Sequence, residues 1–216
     1  MNLNLSKKNM INQQLKVLGD VPCKILNSLN KVPMDLFIKY EKHLAYSEAE
    51  ILDSYNKKLI SPVRIVKILL NLESKEDKKV LHVGIGNGYF TSILSYNFQS
   101  IHSCDVKQSR VLNLKKKLKL MNIKNVTTYH NDGYKLIDRN SFDIVIFNFY
   151  IKENFLLKSL TEMKSSPKIF YFLNKKSYET AVLLTRSSLS KKWRRTFLFD
   201  SYKSLDDEIY TEEFFF

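Results

Sequence analysis

Apolar positions recur at helical spacing through the N-terminal part of the chain and then gather into short runs separated by helical stretches. Met10, Ile11, Leu15 and Leu18 keep a helical period over Asn9 to Leu18, and Gly19 supplies a stop. A short second helix is expected over Pro22 to Leu29. Val32-Pro33-Met34-Asp35-Leu36-Phe37 then reads as a turn into a further helix start, with proline near its first position. Leu59 to Leu72 carries Ile65, Val66, Ile68, Leu69, Leu70 and Leu72, an apolar face broad enough to be well buried.

From residue 79 the period changes. Strands are expected at Lys79 to Val83, Ser100 to Cys104, Asn125 to His130, Phe142 to Phe147 and Lys168 to Leu173, with helices at Tyr89 to Tyr96, Ser109 to Met121 and Phe155 to Met163. The Phe142 to Phe147 run is continuously apolar, as a strand covered on both faces should be. Repeated alternation of this kind predicts an α/β fold with a doubly wound, mostly parallel sheet. Thr180 to Arg186 and Trp193 to Phe199 are rich in β-formers with no long helix between them, which predicts an antiparallel pair at the sheet edge.

Composition narrows the class. With 216 residues, 44% hydrophobic and 26% charged, the chain can bury a substantial core and is neither disordered nor fibrous. We expect an N-terminal helical extension over 1–75 packed on a domain over 76–216, the two forming one structural unit. No apolar run approaches the roughly 20 residues that span a bilayer, and Met1 to Leu18 lacks the pattern of a secretory signal. A soluble, cytoplasmic monomer is the expectation. Cys23 and Cys104 are far apart, and His43, His102 and His130 have no ligand spacing, so neither a disulfide nor a metal site is indicated. The net charge of +13 would favour acidic partners, but only six of the 35 basic residues are Arg and the lysines are spread along the chain. Directed phosphate recognition uses Arg forks, whereas scattered Lys solvates surfaces, so no nucleic-acid partner is expected.

Glycine usage locates the chemistry. Of five glycines, Gly84, Gly86 and Gly88 fall in Val83-Gly84-Ile85-Gly86-Asn87-Gly88, directly after one expected strand and before a helix. Such a loop must turn tightly and let a ligand approach its backbone. Asp105, at the end of the next strand, can accept both hydroxyls of a ribose. Together they point to an adenosine-type ligand. A dinucleotide fingerprint would need a small residue at Tyr89, and no P-loop run is present. The spacing is similar to the first motif of class I S-adenosylmethionine-dependent methyltransferases.

More specifically, Val80-Leu81-His82-Val83-Gly84-Ile85-Gly86-Asn87-Gly88-Tyr89 resembles the glycine motif of the protein-L-isoaspartate O-methyltransferase family. Gln13-Gln14-Leu15, Val32 to Phe37, Ala45-Tyr46-Ser47-Glu48, Ile60-Ser61, Asn131-Asp132-Gly133 and Phe142 to Ile146 resemble further family segments in the same order. The likeness covers residues 10 to 175. It implies a Rossmann-like domain, S-adenosyl-L-methionine as cofactor, and methylation of the free carboxylate of isoaspartyl residues in damaged polypeptides. It also implies that Ser61 donates a hydrogen bond to the acceptor carboxylate, and that His82, Asp132, Gly133 and Asn148 join Gly84, Gly86, Gly88 and Asp105 around the cofactor. The Ser61 hydroxyl could equally cap the helix that begins at Pro62. His82, which takes the place of the family's glutamate, reads either as a replacement for a water-mediated contact or as a satisfied loop histidine.

Departures concentrate on the acceptor side. Lys57-Lys58-Leu59 replaces Gly-Gln-Thr, Asn148-Phe149-Tyr150 replaces Thr-Ala-Ala, and Phe172-Leu173-Asn174 replaces Pro-Val-Gly. Two other readings therefore stand beside the methyltransferase: a cofactor-binding protein with weakened or lost catalysis, and an RNA methyltransferase, which Asn148-Phe149-Tyr150 supports by its Asn and aromatic but not by any proline.

Overall fold

The computed structural model describes residues 2–47, 51–53, 55, 58–73, 77–137, 141–151, 166–175, 177–187 and 192–202. The helix expected at Phe155 to Met163 lies outside them. No helix among the described residues is long and apolar enough to cross a membrane.

The first helix starts earlier than the apolar period suggests. Helix α1 spans Leu3–Asn9, because the Asn2 side chain accepts hydrogen bonds from the amides of Asn4 and Leu5. The expected Asn9 to Leu18 helix is replaced by a π-helical turn at Met10–Leu15 and a 3-10 turn at Lys16–Leu18. Met10 and Leu15 are five residues apart, and the wider turn lets both bury in the core. Helix α2 follows at Cys23–Lys31, then a 3-10 turn at Met34–Phe37. Helix α3, Pro62–Leu72, begins after Leu59 to Ser61, with Ser61 as its N-cap and Pro62 at its first position.

Among the described residues seven strands follow: β1 Lys79–Val83, β2 Ser100–Asp105, β3 Val126–His130, β4 Ile144–Tyr150, β5 Lys168–Asn174, β6 Tyr178–Arg186 and β7 Trp193–Tyr202. Helices α4 Tyr89–Ser95, α5 Gln108–Leu120 and α6 Gly133–Ile137 connect the first four. They form one sheet in the order β3-β2-β1-β4-β5-β6-β7. Strands β1 to β5 pair in parallel, while β5–β6 and β6–β7 are antiparallel, giving the doubly wound sheet and edge pair expected. Phe142 and Asp143 precede β4 rather than joining it. The Asp143 carboxylate instead accepts the Lys79 amide at 2.8 Å, tying the start of β1 to the neighbouring chain.

Each strand turns alternate residues to two cores. On one face Val80, Ile101, Ile144, Ile146, Phe170 and Phe172 pack with Ile25, Leu29, Phe37, Ile65, Ile68 and Leu69 of the N-terminal segments and with Phe90 and Ile93 of α4. Residues on both sides of position 75 thus share one core. On the other face Leu81, Val83, Val145, Phe147, Ile169 and Tyr171 pack with Leu136 and Ile137 of α6. A fully buried large aliphatic or aromatic side chain contributes roughly 1.5–3 kcal/mol relative to exposure.

Candidate active site

Strand order fixes where a ligand can lie. Strand β1 pairs with β2 on one side and β4 on the other, so the chain reverses direction of travel across the sheet between them. In such sheets a crevice opens at the C-terminal ends of the strands at the switch point. The loop Gly84 to Gly88 lies there.

Gly84, Gly86 and Gly88 all have positive φ, at 89°, 58° and 89°. A Cβ on Gly84 would lie 2.9 Å from the Phe149 ring, and one on Gly88 would lie 2.8 Å from Leu114 Cδ1. Among the described residues only Asn148 Nδ2, 3.8 Å away, comes near the corresponding point on Gly86, so none of them crowds the backbone there. The Asn148 side-chain amide donates to the Gly84 carbonyl at 3.3 Å, bracing the loop from β4. Gly133 is glycine for a different reason: a side chain would run into Val83, so it lets the start of α6 close against the end of β1.

Asp105 ends β2 and is buried. Its Oδ1 accepts the Lys107 amide at 2.9 Å, and its Oδ2 lies 3.5 Å from Arg110 Nη1 while accepting no hydrogen bond among the described residues. Burial raises the carboxyl above its ordinary range, opposed by Arg110 and the amides of Lys107, Gly86 and Ile85. A buried carboxylate at a strand end, beside a glycine backbone that no described residue crowds, fits a ribose that brings two hydroxyls. The chain end of β3 joins the same rim: Asn131 N donates to the Asp105 carbonyl at 3.3 Å, and Asp132 Oδ1 accepts the Tyr134 amide at 3.0 Å. Gly84, Gly86, Gly88, Asp105, Asp132, Gly133 and Asn148 therefore converge on one rim.

His82 does not join them. Alternation along β1 turns it to the same face as Val80, under α4, where it is fully buried. Its Nδ1 shares hydrogen bonds with Thr91 Oγ1 at 3.0 Å and Ser103 Oγ at 3.2 Å, and its ring packs edge-on against Phe90. Desolvation lowers its pKa to about 3, so it is neutral. The expectation that it lines the cofactor site is corrected to a core histidine.

Ser61 Oγ accepts the Arg64 amide at 3.2 Å, the geometry of an N-cap. Capping uses an oxygen lone pair and leaves the hydroxyl proton available, so cap and carboxylate donor are compatible roles on one exposed residue.

Two residues escaped the sequence reading. Arg64, in the first turn of α3, pairs with Glu179 of β6, and the Tyr150 hydroxyl donates to the other Glu179 oxygen. The Arg64 guanidinium stacks 3.9 Å from the Phe172 ring centroid. Glu179 is 1% exposed. Its signal was a lone carboxylate at the start of the β-forming run to Arg186. Strand β4 reaches Tyr150 through an irregularity: four residues, Ile146 to Tyr150, advance against two, Phe170 to Phe172, of β5. Such bulges re-aim side chains near ligand sites.

This architecture is that of the Rossmann-like class I methyltransferases. A protein-L-isoaspartate O-methyltransferase structure superposes with a TM-score of 0.71 at 16% identity, covering 90% of this chain and 64% of the other. Another, from Plasmodium falciparum in complex with S-adenosyl-L-homocysteine, gives 0.65 at 16% identity over 91% of this chain and 96% of its own. The chain belongs to the protein-L-isoaspartate(D-aspartate) O-methyltransferase family, whose sequence profile matches residues 5–152. Protein-L-isoaspartate O-methyltransferase of Vibrio vulnificus (strain YJ016) is 29% identical over 134 residues, 61% of this chain and 64% of the relative. The Photorhabdus laumondii protein of the same name is 27% identical over 161 residues, 72% of this chain and 77% of its own.

Proposed function

We propose that this protein transfers a methyl group from S-adenosylmethionine to the free carboxylate of isoaspartyl residues in damaged polypeptides, acting as a soluble cytoplasmic monomer. The observation that carries the reading is the glycine backbone at Gly86, which only Asn148 approaches among the described residues, beside the buried Asp105 carboxylate at the end of β2. The family match over residues 5–152 supplies the acceptor class. In this reading 1–75 and 76–216 act as one unit, with the acceptor held between α3 and the ends of β4 and β5.

The bound cofactor supplies an electrophilic methyl on a sulfonium. Asp105 accepts the ribose hydroxyls, Gly84 to Gly88 wrap the amino-acid part, and Asn148 keeps that loop in place. Asp132 and Gly133 complete the rim on the β3 side. An acceptor carboxylate is already anionic at neutral pH, so the protein needs no general base. Its task is to hold oxygen and methyl carbon near attack distance and exclude water, which positioning can make worth several orders of magnitude in rate. Ser61 donates one hydrogen bond to the carboxylate, and the Phe149 and Tyr150 side chains narrow the mouth.

Labelled methyl transfer tests the proposal, with isoaspartyl and aspartyl peptides and RNA as acceptors. Transfer to the isoaspartyl peptide alone is expected, slow on short peptides because of the narrowed mouth and lowered further by Ser61→Ala at unchanged cofactor affinity. Transfer to RNA instead, or cofactor binding without transfer to any peptide, would refute it.

A further inference from the structure

The Arg64, Glu179 and Tyr150 cluster gathers at the C-terminal end of β4 and the start of β6, against the first turn of α3. Tyr150 is two residues beyond Asn148, whose side chain touches the glycine loop, and it is the cross-strand partner of Phe172. Phe172 pairs with Ala181, and Glu179 stands two residues before it on β6, on the same face. Arg64 reaches this spot from α3, three residues after Ser61.

A cluster of this kind is costly as mere scaffolding. Burial pulls the Arg64 guanidinium down from its ordinary value, and Glu179 and Tyr150 pull it back. Buried ion pairs seldom stabilise a fold more than apolar residues of the same volume would, and Phe172 already supplies an apolar wall. The donor arithmetic is also unfinished. Glu179 engages Arg64 Nη2, yet Arg64 Nε is buried and donates no hydrogen bond among the described residues, and the side chain keeps 17% exposure. A guanidinium presents its donors as a planar fork suited to carboxylates. The positive end of the 11-residue helix α3 adds to the same field. Arg64 stacks on Phe172, in the segment where Phe172-Leu173-Asn174 replaces the family's Pro-Val-Gly.

We propose that Arg64 binds the acceptor carboxylate, and that Glu179 and Tyr150 are positioning residues that hold its guanidinium in one orientation. This rests on the methyl-transfer reading above for the identity of the acceptor. It assigns to the site a selectivity for anionic acceptors that the Ser61 hydroxyl alone would not give.

The test reads binding, not turnover. Wild-type protein saturated with S-adenosyl-L-homocysteine is titrated calorimetrically with an isoaspartyl peptide and with the same peptide carrying a carboxamide in place of the free carboxylate. The carboxylate peptide should bind about tenfold or more tightly, as a charge-assisted bond requires. Arg64→Met alone removes the cation from beside the buried Glu179 carboxylate, so the decisive variant is Arg64→Met with Glu179→Gln, which removes both charges. It should keep its affinity for S-adenosyl-L-homocysteine and lose the carboxylate preference. Glu179→Gln alone should weaken that preference without abolishing it, since the guanidinium remains but loses the carboxylate that orients it. A purely structural pair would make the two variants behave alike, and that result overturns the proposal. So does a wild type that binds both peptides equally or binds neither. Carboxylate preference without methyl transfer would leave Arg64 in its role and reject the catalytic reading alone.

Discussion

Acidification should destabilise this protein through one residue, His82. The ring is fully buried, held at Nδ1 by Thr91 and Ser103, and its Nε2 has no hydrogen-bond partner among the described residues. Protonation would place a charge there without compensation, so burial lowers its pKa from 6.5 to about 3. Unfolded chain takes up the proton near pH 6.5 while folded chain does not. The folded state is therefore favoured above the unfolded value and loses ground as pH falls toward the folded one. Between pH 8 and pH 5 the loss amounts to about 2 kcal/mol, one and a half decades of proton binding at 1.36 kcal/mol each. For a chain of this size that lowers Tm by roughly 4–8 °C. Urea unfolding at pH 8 and pH 5 for wild type and His82→Gln isolates the contribution, because carboxylates that titrate in the same window act alike in both. The variant should lose about 2 kcal/mol less than wild type over that interval. Equal acid losses in the two proteins, or a His82 ring resonance that titrates near pH 6.5, would refute the argument and return the residue to a solvated loop.

Asp105 and Arg110 should separate folding from cofactor binding. Asp105→Ala removes the carboxylate 3.5 Å from the buried Arg110 guanidinium and is expected to lower stability, whereas Asp105→Asn with Arg110→Met removes both charges and recovers most of the loss. Both variants should bind S-adenosyl-L-homocysteine more weakly by about 1–3 kcal/mol, read by calorimetry, and wild-type affinity in either rejects this carboxylate as the ribose acceptor. Gly88→Ala meets both a left-handed backbone and Leu114, whose Cδ1 would lie 2.8 Å from the added Cβ. It should lose about 1–2 kcal/mol to backbone strain in urea unfolding plus a further loss to that contact; the total should shrink in a Leu114→Ala background, and an equal loss there would mean that Leu114 yields freely.

The parts of the fold that were legible in the sequence are those governed by local period. Strands β1 to β5 fall within a few residues of their apolar runs, and the glycine loop follows from three glycines in a chain that has five. Boundaries moved where a contact outside the segment decided them. Asn2 starts α1 early through its side chain, Asp143 is drawn to the Lys79 amide, and β4 runs on to Tyr150 because its irregular pairing with β5 absorbs extra residues. His82 was misread although the needed information was present. Alternation along β1 puts it with Val80, and only the side on which α4 packs was missing.

That contrast has a physical origin which separates the two halves of the site. Cofactor recognition relies on backbone that a short segment creates for itself: positive φ at Gly84 to Gly88, a carboxylate at a strand end, and an asparagine reaching one strand across. Such features survive as motifs because their geometry depends on neighbours in sequence. Acceptor recognition depends on side chains brought together by the sheet, with Arg64 on α3, Tyr150 on β4, Phe172 on β5 and Glu179 on β6. No spacing rule links four elements, so changes there can compensate one another without leaving a motif. A lone buried glutamate in a β-forming run is the kind of trace such a constellation leaves, since an uncompensated carboxylate would be expelled from the core at a cost of several kcal/mol. Searching for charged residues whose burial demands a partner, rather than for motifs, is the route by which a diverged acceptor site becomes readable.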